Sequence, residues 1–280
     1  AGVDYAETRV AEDVRAAATA MGYRGLRRFL AVDLPLSVPV LIAGELGDDA
    51  QPTFGAAVRA KLADARELLQ RYRYNHREAD LAAALSGVED AMAGVDRAAG
   101  VESLRGVEGA GTRAYFAGLA TMCRGPLSFT GRSSRPPADP FNALLSLGYV
   151  LLVNEIMHLT DAVGLDPYLG FYHEIQDRRA ALALDLVEEL RHPLIDRFCL
   201  YLNNNRVFGP EDFQADPEEP GGVVLRSEPF RRFLREYDGW MRRSPRGCRP
   251  APREVVRQQI ERFAEWLRSG RPYEPYRFED

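Results

Sequence analysis

The sequence predicts a mainly α protein: a helical domain over residues 51–280, preceded over residues 1–50 by a small, incomplete α/β or β-type N-terminal region that is divergent or truncated. From Phe54 onward, apolar residues recur at helical spacing in segment after segment. Gly- and Pro-rich clusters separate those segments at intervals that suit helices. The best strand candidate is one short apolar, partly β-branched run, Val38–Ala43 (VPVLIA), lying before that domain.

In order, residues 4–20, rich in Ala, Arg and Glu, predict a helix, and 25–32 a second, shorter one. Gly47–Thr53 (GDDAQPT) reads as a linker. Val58, Leu62, Ala65 and Leu69 then fall on one helical face, predicting a helix to about Tyr74. A second runs over about 79–93, and Ser103 caps a third over 103–123. That helix carries Gly106, Gly109 and Gly111, each costing about 1 kcal/mol against alanine. Something must come close to its backbone: a packed helix, or a bound phosphate or metal. Gly125–Asp139 is a loop rich in Gly, Ser, Pro and Arg, followed by a long apolar helix over 140–163 that Gly164–Pro167 ends. Its polar interruptions, Asn142, Ser146, Asn154 and Glu155, favour a buried helix over a membrane span. A helix over Ala180–Asn203, a Pro-, Gly- and acid-rich loop over 209–222, and helices near 228–242 and 252–269 complete the chain. The last shows an amphipathic stripe of Val255, Ile260, Phe263 and Leu267.

The 280 residues suffice for a sizeable core, and 46% hydrophobic with 28% charged residues is ordinary for a globular protein. A net charge of −5 gives no global attraction to nucleic acid, so any DNA contact must use a local basic surface. Basic residues are arginines except Lys61, a bias that a GC-rich genome produces and that also suits phosphate contact. Cys123, Cys199 and Cys248 are odd in number and widely spaced, which argues against a zinc cluster or disulfide framework and favours the cytoplasm. The sequence begins at Ala1 without a methionine, as a fragment or a processed product does.

Four side chains carry the candidate chemistry. Glu108 lies in R-G-V-E-G on the glycine-rich helix, and His173 closes G-F-Y-H after a helix break. Asp185 and Glu188, three apart in LALDLVEELR, share a helical face. Carboxylates with an imidazole suit a hard divalent cation, Mg²⁺ or Mn²⁺, which can polarise a phosphodiester for in-line displacement. The bland alternatives are solvated glutamates, a non-ligating histidine, and surface pairing of Asp185 or Glu188 with Arg178, Arg179 or Arg191. His158 and His192 read as structural. Arg124, Arg132 and Arg135 cluster in the loop before the long helix, either as solvated side chains or as phosphate contacts. Arginines over 226–277 interleave with Phe230, Phe233, Tyr237 and Trp240, a pattern that fits an amphipathic helix better than a base-stacking strip.

The segments AKLADARELLQRYR (60–73), SLRGVEGAGTRAYF (103–116), FTGRSSRPPADPFNALLSLGYVLL (129–152), GLDPYLGFYH (164–173), LALDLVEELRHPLIDR (182–197) and EDF (211–213) follow one another in an order that resembles CRISPR-associated protein one, the spacer-acquisition integrase. The likeness spans about residues 55 to 245. The resemblance implies a small N-terminal β-domain and a larger helical catalytic domain. It implies a metal site of Glu108, His173 and Glu188, with Asp185 as a supporting catalytic acid, and Mg²⁺ or Mn²⁺ as cofactor. It implies a homodimer that works with CRISPR-associated protein two on double-stranded and branched DNA, joining a prespacer 3′-hydroxyl to repeat DNA by transesterification. Arg132 and Arg135 become the candidate DNA-backbone contacts, and Lys61 occupies a position where the family usually has a lysine. Two features depart from the family: most of the β-domain is missing, which puts dimerisation and full integration in doubt, and L-R-H-P replaces F-R-P after the acidic pair. The competing readings are a metal-dependent nuclease of branched DNA that does not integrate, and a non-catalytic DNA-binding scaffold.

Overall fold

The computed structural model describes residues 51–133, 135–170, 180–243, 250–269 and 273–278. The expected helices over 4–20 and 25–32, the strand Val38–Ala43, and His173 lie outside the described residues. The described part is helical, with α1 (Gln51–Asn75), α2 (Ala82–Val95), α3 (Val101–Met122), α4 (Pro140–Ala162), α5 (Ala181–Val187), α6 (Arg197–Asn204), α7 (Ser227–Arg242) and α8 (Pro252–Ser269). A π-helical segment, Arg191–Asp196, joins α5 to α6. The strands β1 (Phe213–Ala215) and β2 (Val223–Leu225) form an antiparallel pair with Gln214 opposite Val224.

Helices α1, α2 and α3 pack together through residues spaced by seven. A Cβ added at Gly111 would stand 2.4 Å from Leu62 Cδ2 and 2.8 Å from Ala91 Cβ. One at Gly118, two turns on, would stand 2.6 Å from Leu69 Cδ2 and 2.8 Å from Ala84 Cβ. Leu62 and Leu69 are thereby fully buried, worth about 1.5–3 kcal/mol each. Packing thus accounts for Gly111, one of the three expected glycines. Gly106 has nothing within 4 Å of its added Cβ, and Gly109 only Arg113 Nη1 at 4.0 Å.

The sequence places α4 correctly because its ends are chemically marked. Asp139 accepts from the Asn142 backbone N–H at 2.8 Å, and Pro140 fills the first helical position. At the other end Gly164 takes φ +81°, and the Leu165 N–H reaches back to the Thr160 carbonyl at 2.9 Å. By length and composition α4 is apolar enough to cross a bilayer. Here it packs against α5, the π segment, α6 and α8, and buries Asn142 and Thr160 among its apolar residues.

Four expectations need correction. The linker ends earlier than Thr53, because α1 begins at Gln51 and takes Pro52 into its first turn, where a missing N–H is harmless. Gly100, not Ser103, stands at the N-cap of α3. The single helix over 180–203 is broken into α5, the π segment and α6. Pro193 lacks an N–H and cannot sit over the carbonyl four residues back, and the chain answers with a wider turn. The loop over 209–222 includes a 3₁₀ turn, Pro210–Asp212, and all of β1. On α7, Phe233 and Tyr237 are buried and the Trp240 indole donates to the Leu194 carbonyl at 3.1 Å. The interleaved aromatics there are an amphipathic core face, with Phe230 left exposed.

Candidate metal centre

Three elements bring charged side chains to one point. Lys61 rises from the buried face of α1, Glu108 from α3, and Glu188 from the residue that ends α5. The Lys61 ammonium, whose side chain is 4% exposed, contacts Glu108 Oε1 directly and Glu188 Oε2 at 2.5 Å. Both carboxylates are mostly buried, at 16% and 15% side-chain exposure. A buried ammonium is tolerable only when paired, and here two acids share it.

Glu188 is oriented from its other side. Arg191 Nη1 donates to both of its carboxylate oxygens at 3.1 Å, so the bland pairing with Arg191 exists, in a buried setting. The Arg191 guanidinium lies 4.5 Å over the Tyr149 ring. Burial alone would lower its pKa, but the negative charges of Glu188 and Asp196 outweigh burial and keep it cationic. Beneath it, fully buried Asp196 accepts from the Tyr149 hydroxyl and, at 2.9 Å, from the Tyr115 hydroxyl. His192 Nδ1 stands 2.6 Å from Asp196 Oδ2. Burial pushes the Asp196 carboxyl up, yet the hydrogen bond from His192 and the charges of His192 and Arg191 bring it below the usual range. Burial holds the His192 imidazole below its usual pKa. His192 Nδ1–H therefore donates to the Asp196 carboxylate. His192 is structural, as expected, while His158 is exposed on α4.

Asp185 is 5% exposed on α5, and a Cβ on Gly170 would stand 2.8 Å from its Oδ2. The chain at Gly170 therefore lies directly against this acid. Among the described residues no three His, Cys, Asp or Glu side chains gather closely enough to hold an ion. Two of the three expected ligands, Glu108 and Glu188, do converge, and the third, His173, lies outside the described residues. The donor chemistry fits a hard divalent cation, since carboxylate oxygens from two separate elements already meet at one positive charge.

The arginines of the 125–139 loop have different fates. Arg132 turns inward, donating to Asn142 Oδ1 at 2.9 Å and Ser146 Oγ at 3.1 Å, with its guanidinium 5.4 Å from the Tyr149 ring. Arg135 is exposed. Arg124 pairs with Glu78 at 2.6 Å. Sequence reasoning missed Tyr115, Tyr149 and Asp196 as supports of the site. Their signal is faint: no spacing or motif sets Tyr115, Tyr149 or Asp196 apart from the polar residues around them.

The family described as CRISPR associated protein Cas1 matches residues 48–239. A relative from Thermus thermophilus, CRISPR-associated endonuclease Cas1 1, is 35% identical over 241 residues, 85% of this chain and 73% of its own length. A second from the same organism, CRISPR-associated endonuclease Cas1 3, is 39% identical over 194 residues, 68% of this chain and 58% of that protein. Among solved structures, a partial Cas6-RT-Cas1–Cas2 complex is similar with a TM-score of 0.72 and 27% identity, over 82% of this chain and 69% of that one. A casposase bound to integration product shares the fold, with a TM-score of 0.70 and 20% identity, over 83% and 66% of the two chains. With the model match covering well over half of its length, the chain belongs to the CRISPR-associated Cas1 family.

Proposed function

We propose that this chain is a metal-dependent DNA endonuclease/integrase that joins prespacer 3′-hydroxyl ends to CRISPR repeat DNA by transesterification. The observation that carries the reading is the convergence of Glu108 and Glu188 on one buried cation, in a chain whose relatives are named Cas1 endonucleases. Glu108, His173 and Glu188 are the proposed ligands, and Asp185 is the supporting acid beside them. A bound Mg²⁺ or Mn²⁺ supplies Lewis-acid polarisation of the phosphodiester and stabilises the in-line displacement. Arg191 fixes the rotamer of Glu188, and Asp196, through Tyr149, fixes the surface on which Arg191 rests. Gly106, on the far side of the α3 turn from Glu108, leaves the backbone there uncrowded, and Gly109, next to Glu108, meets only Arg113 Nη1 at 4.0 Å. In the reaction one P–O bond forms from the 3′-hydroxyl as another breaks, so no covalent enzyme intermediate is needed.

Exposed Arg135 is the better placed of the two proposed backbone contacts. Arg132, tied to Asn142 and Ser146, shapes the loop that presents it. A homodimer acting with Cas2 in the cytoplasm, on double-stranded and branched DNA, is part of the same proposal. Similarity to Cas1–Cas2 complexes at 26–27% identity supports the partner.

The test is a strand-transfer gel on branched, fluorescently labelled DNA with Mn²⁺ or EDTA, beside Glu108→Ala and His173→Ala. Metal-dependent rejoined strands, abolished by both substitutions, are expected. Cleavage without rejoining would reduce the reading to a nuclease. DNA binding with no turnover in any metal would overturn the enzyme altogether.

A further inference from the structure

We propose that Lys61 is the counter-cation of Glu108 and Glu188: a positioning residue that bridges the two carboxylates and withdraws from at least one of them when a divalent cation binds there. The inference rests on the metal-site reading above. Lys61 is the sole lysine in a sequence whose other basic side chains are all arginine, and it is placed where the difference matters. An ammonium is a compact charge on a flexible four-carbon stem, whereas a guanidinium is a planar fork. The ammonium is compact enough to touch one oxygen of each carboxylate and can retract along its own stem. Of its neighbours on α1, Ala60, Leu62 and Ala65 are buried and apolar, and buried Asp64 accepts from the Phe278 N–H, so the contacts with Glu108 and Glu188 are what make the burial of this charge tolerable. Removing the charge leaves two mostly buried carboxylates facing each other with less positive charge between them.

A divalent ion bound to Glu108 and Glu188 competes for the oxygens that Lys61 now contacts, Glu108 Oε1 and Glu188 Oε2. Two cations at contact distance in a poorly hydrated site repel strongly. Glu188 need not move in the exchange, because Arg191 grips both of its oxygens independently of Lys61. The lysine thus keeps the two carboxylates together, at the cost of some metal affinity.

A single lysine gives a direct readout. In protein labelled with ¹³C,¹⁵N-lysine, this sequence yields one side-chain ammonium and one ε-methylene resonance, which can be followed during a Mg²⁺ titration alongside calorimetry. The resonance is expected to move along the Mg²⁺ binding isotherm. Glu108→Ala is expected to displace it at the outset and to abolish Mg²⁺ binding. Lys61→Met and Lys61→Gln are expected to bind Mg²⁺ at least tenfold more tightly, because no ion pair has to break first. A resonance that stays put while calorimetry shows the site filling would overturn the inference and leave the metal-site reading intact. So would unchanged or weaker binding by both lysine variants. If neither variant folds, the wild-type resonance decides alone. Mg²⁺ binding that is absent, or equal in wild type and Glu108→Ala, would instead sink the metal-site reading, and this inference with it.

Discussion

Where α3 meets α1 and α2, the molecule is held by small apolar groups in van der Waals contact; around Arg191–Asp196, it is held by polar groups that satisfy one another. In the first region Gly111 and Gly118 admit Leu62, Leu69, Ala84 and Ala91 at distances that forbid a Cβ. In the second, Asp196 collects donors from Tyr115, Tyr149 and His192 in full burial. An apolar seam sets how far apart helices stand but leaves side chains little direction of their own. A satisfied polar network sets direction, and direction is what Glu188 needs if it is to meet Glu108 across the gap between α3 and α5. The site sits where the two regions join: Lys61 and Leu62 are consecutive on α1, one in each kind of environment.

The comparison breaks most severely at Asp196. Asp196→Ala strands two phenols and an imidazole in the core and leaves Arg191 without part of its support, at a cost of about 3–5 kcal/mol. Urea unfolding should show that loss, whereas a change under ~1 kcal/mol would mean the network contributes no more than surface polar contacts do. Gly111→Ala tests the apolar seam, with an expected cost of about 1–3 kcal/mol from overpacking against Leu62 and Ala91.

A pH-dependent effect comes from the end of the chain. Burial pushes the Asp64 carboxyl up to about 8, only partly offset by the hydrogen bond from the Phe278 N–H at 2.8 Å, and its Oδ2 is buried without a hydrogen-bond partner. The folded chain therefore holds a proton between about pH 4 and 8 that the unfolded chain has released. This group's contribution is greatest below its unfolded pKa and declines as pH rises through 8. Asp64→Asn should remove that slope, raising stability at pH 8 by roughly 1–3 kcal/mol while changing little at pH 4. Denaturant midpoints at the two pH values decide it, and parallel profiles for the two proteins would count against it. The smallest effect belongs to Gly106→Ala. With nothing near its added Cβ, the substitution should stabilise α3 by about 0.5–1 kcal/mol. If it also impairs strand joining but not metal binding, the open backbone at Gly106 is a DNA approach.

What was legible in the sequence follows the same division. Helices α1, α2, α3, α4, α7 and α8 are visible because apolar periodicity and Gly or Pro punctuation are local signals. The broken helix after Ala180 is not, because the π segment spans only six residues, too few to reset the apolar pattern, and only Pro193 marks the change. Strands of three residues, Phe213–Ala215 and Val223–Leu225, are too short to display alternation. Glu108 and Glu188 were found from their motifs. The bond from Lys61 to Glu108 spans 47 residues and that from Tyr115 to Asp196 spans 81, and no window along the chain contains either. The family resemblance points to Glu108 and Glu188; the packing that brings Lys61 against them, and Asp196 beneath Arg191, is visible only in three dimensions.

Glu108, Glu188 and His173 are the proposed ligands of a divalent cation. Mn²⁺ binding followed by electron paramagnetic resonance in wild type, Glu108→Ala, Glu188→Ala and His173→Ala tests this proposal most directly. One tight site is expected in the wild type, weakened at least tenfold by each substitution. Equal binding by all four proteins would contradict it.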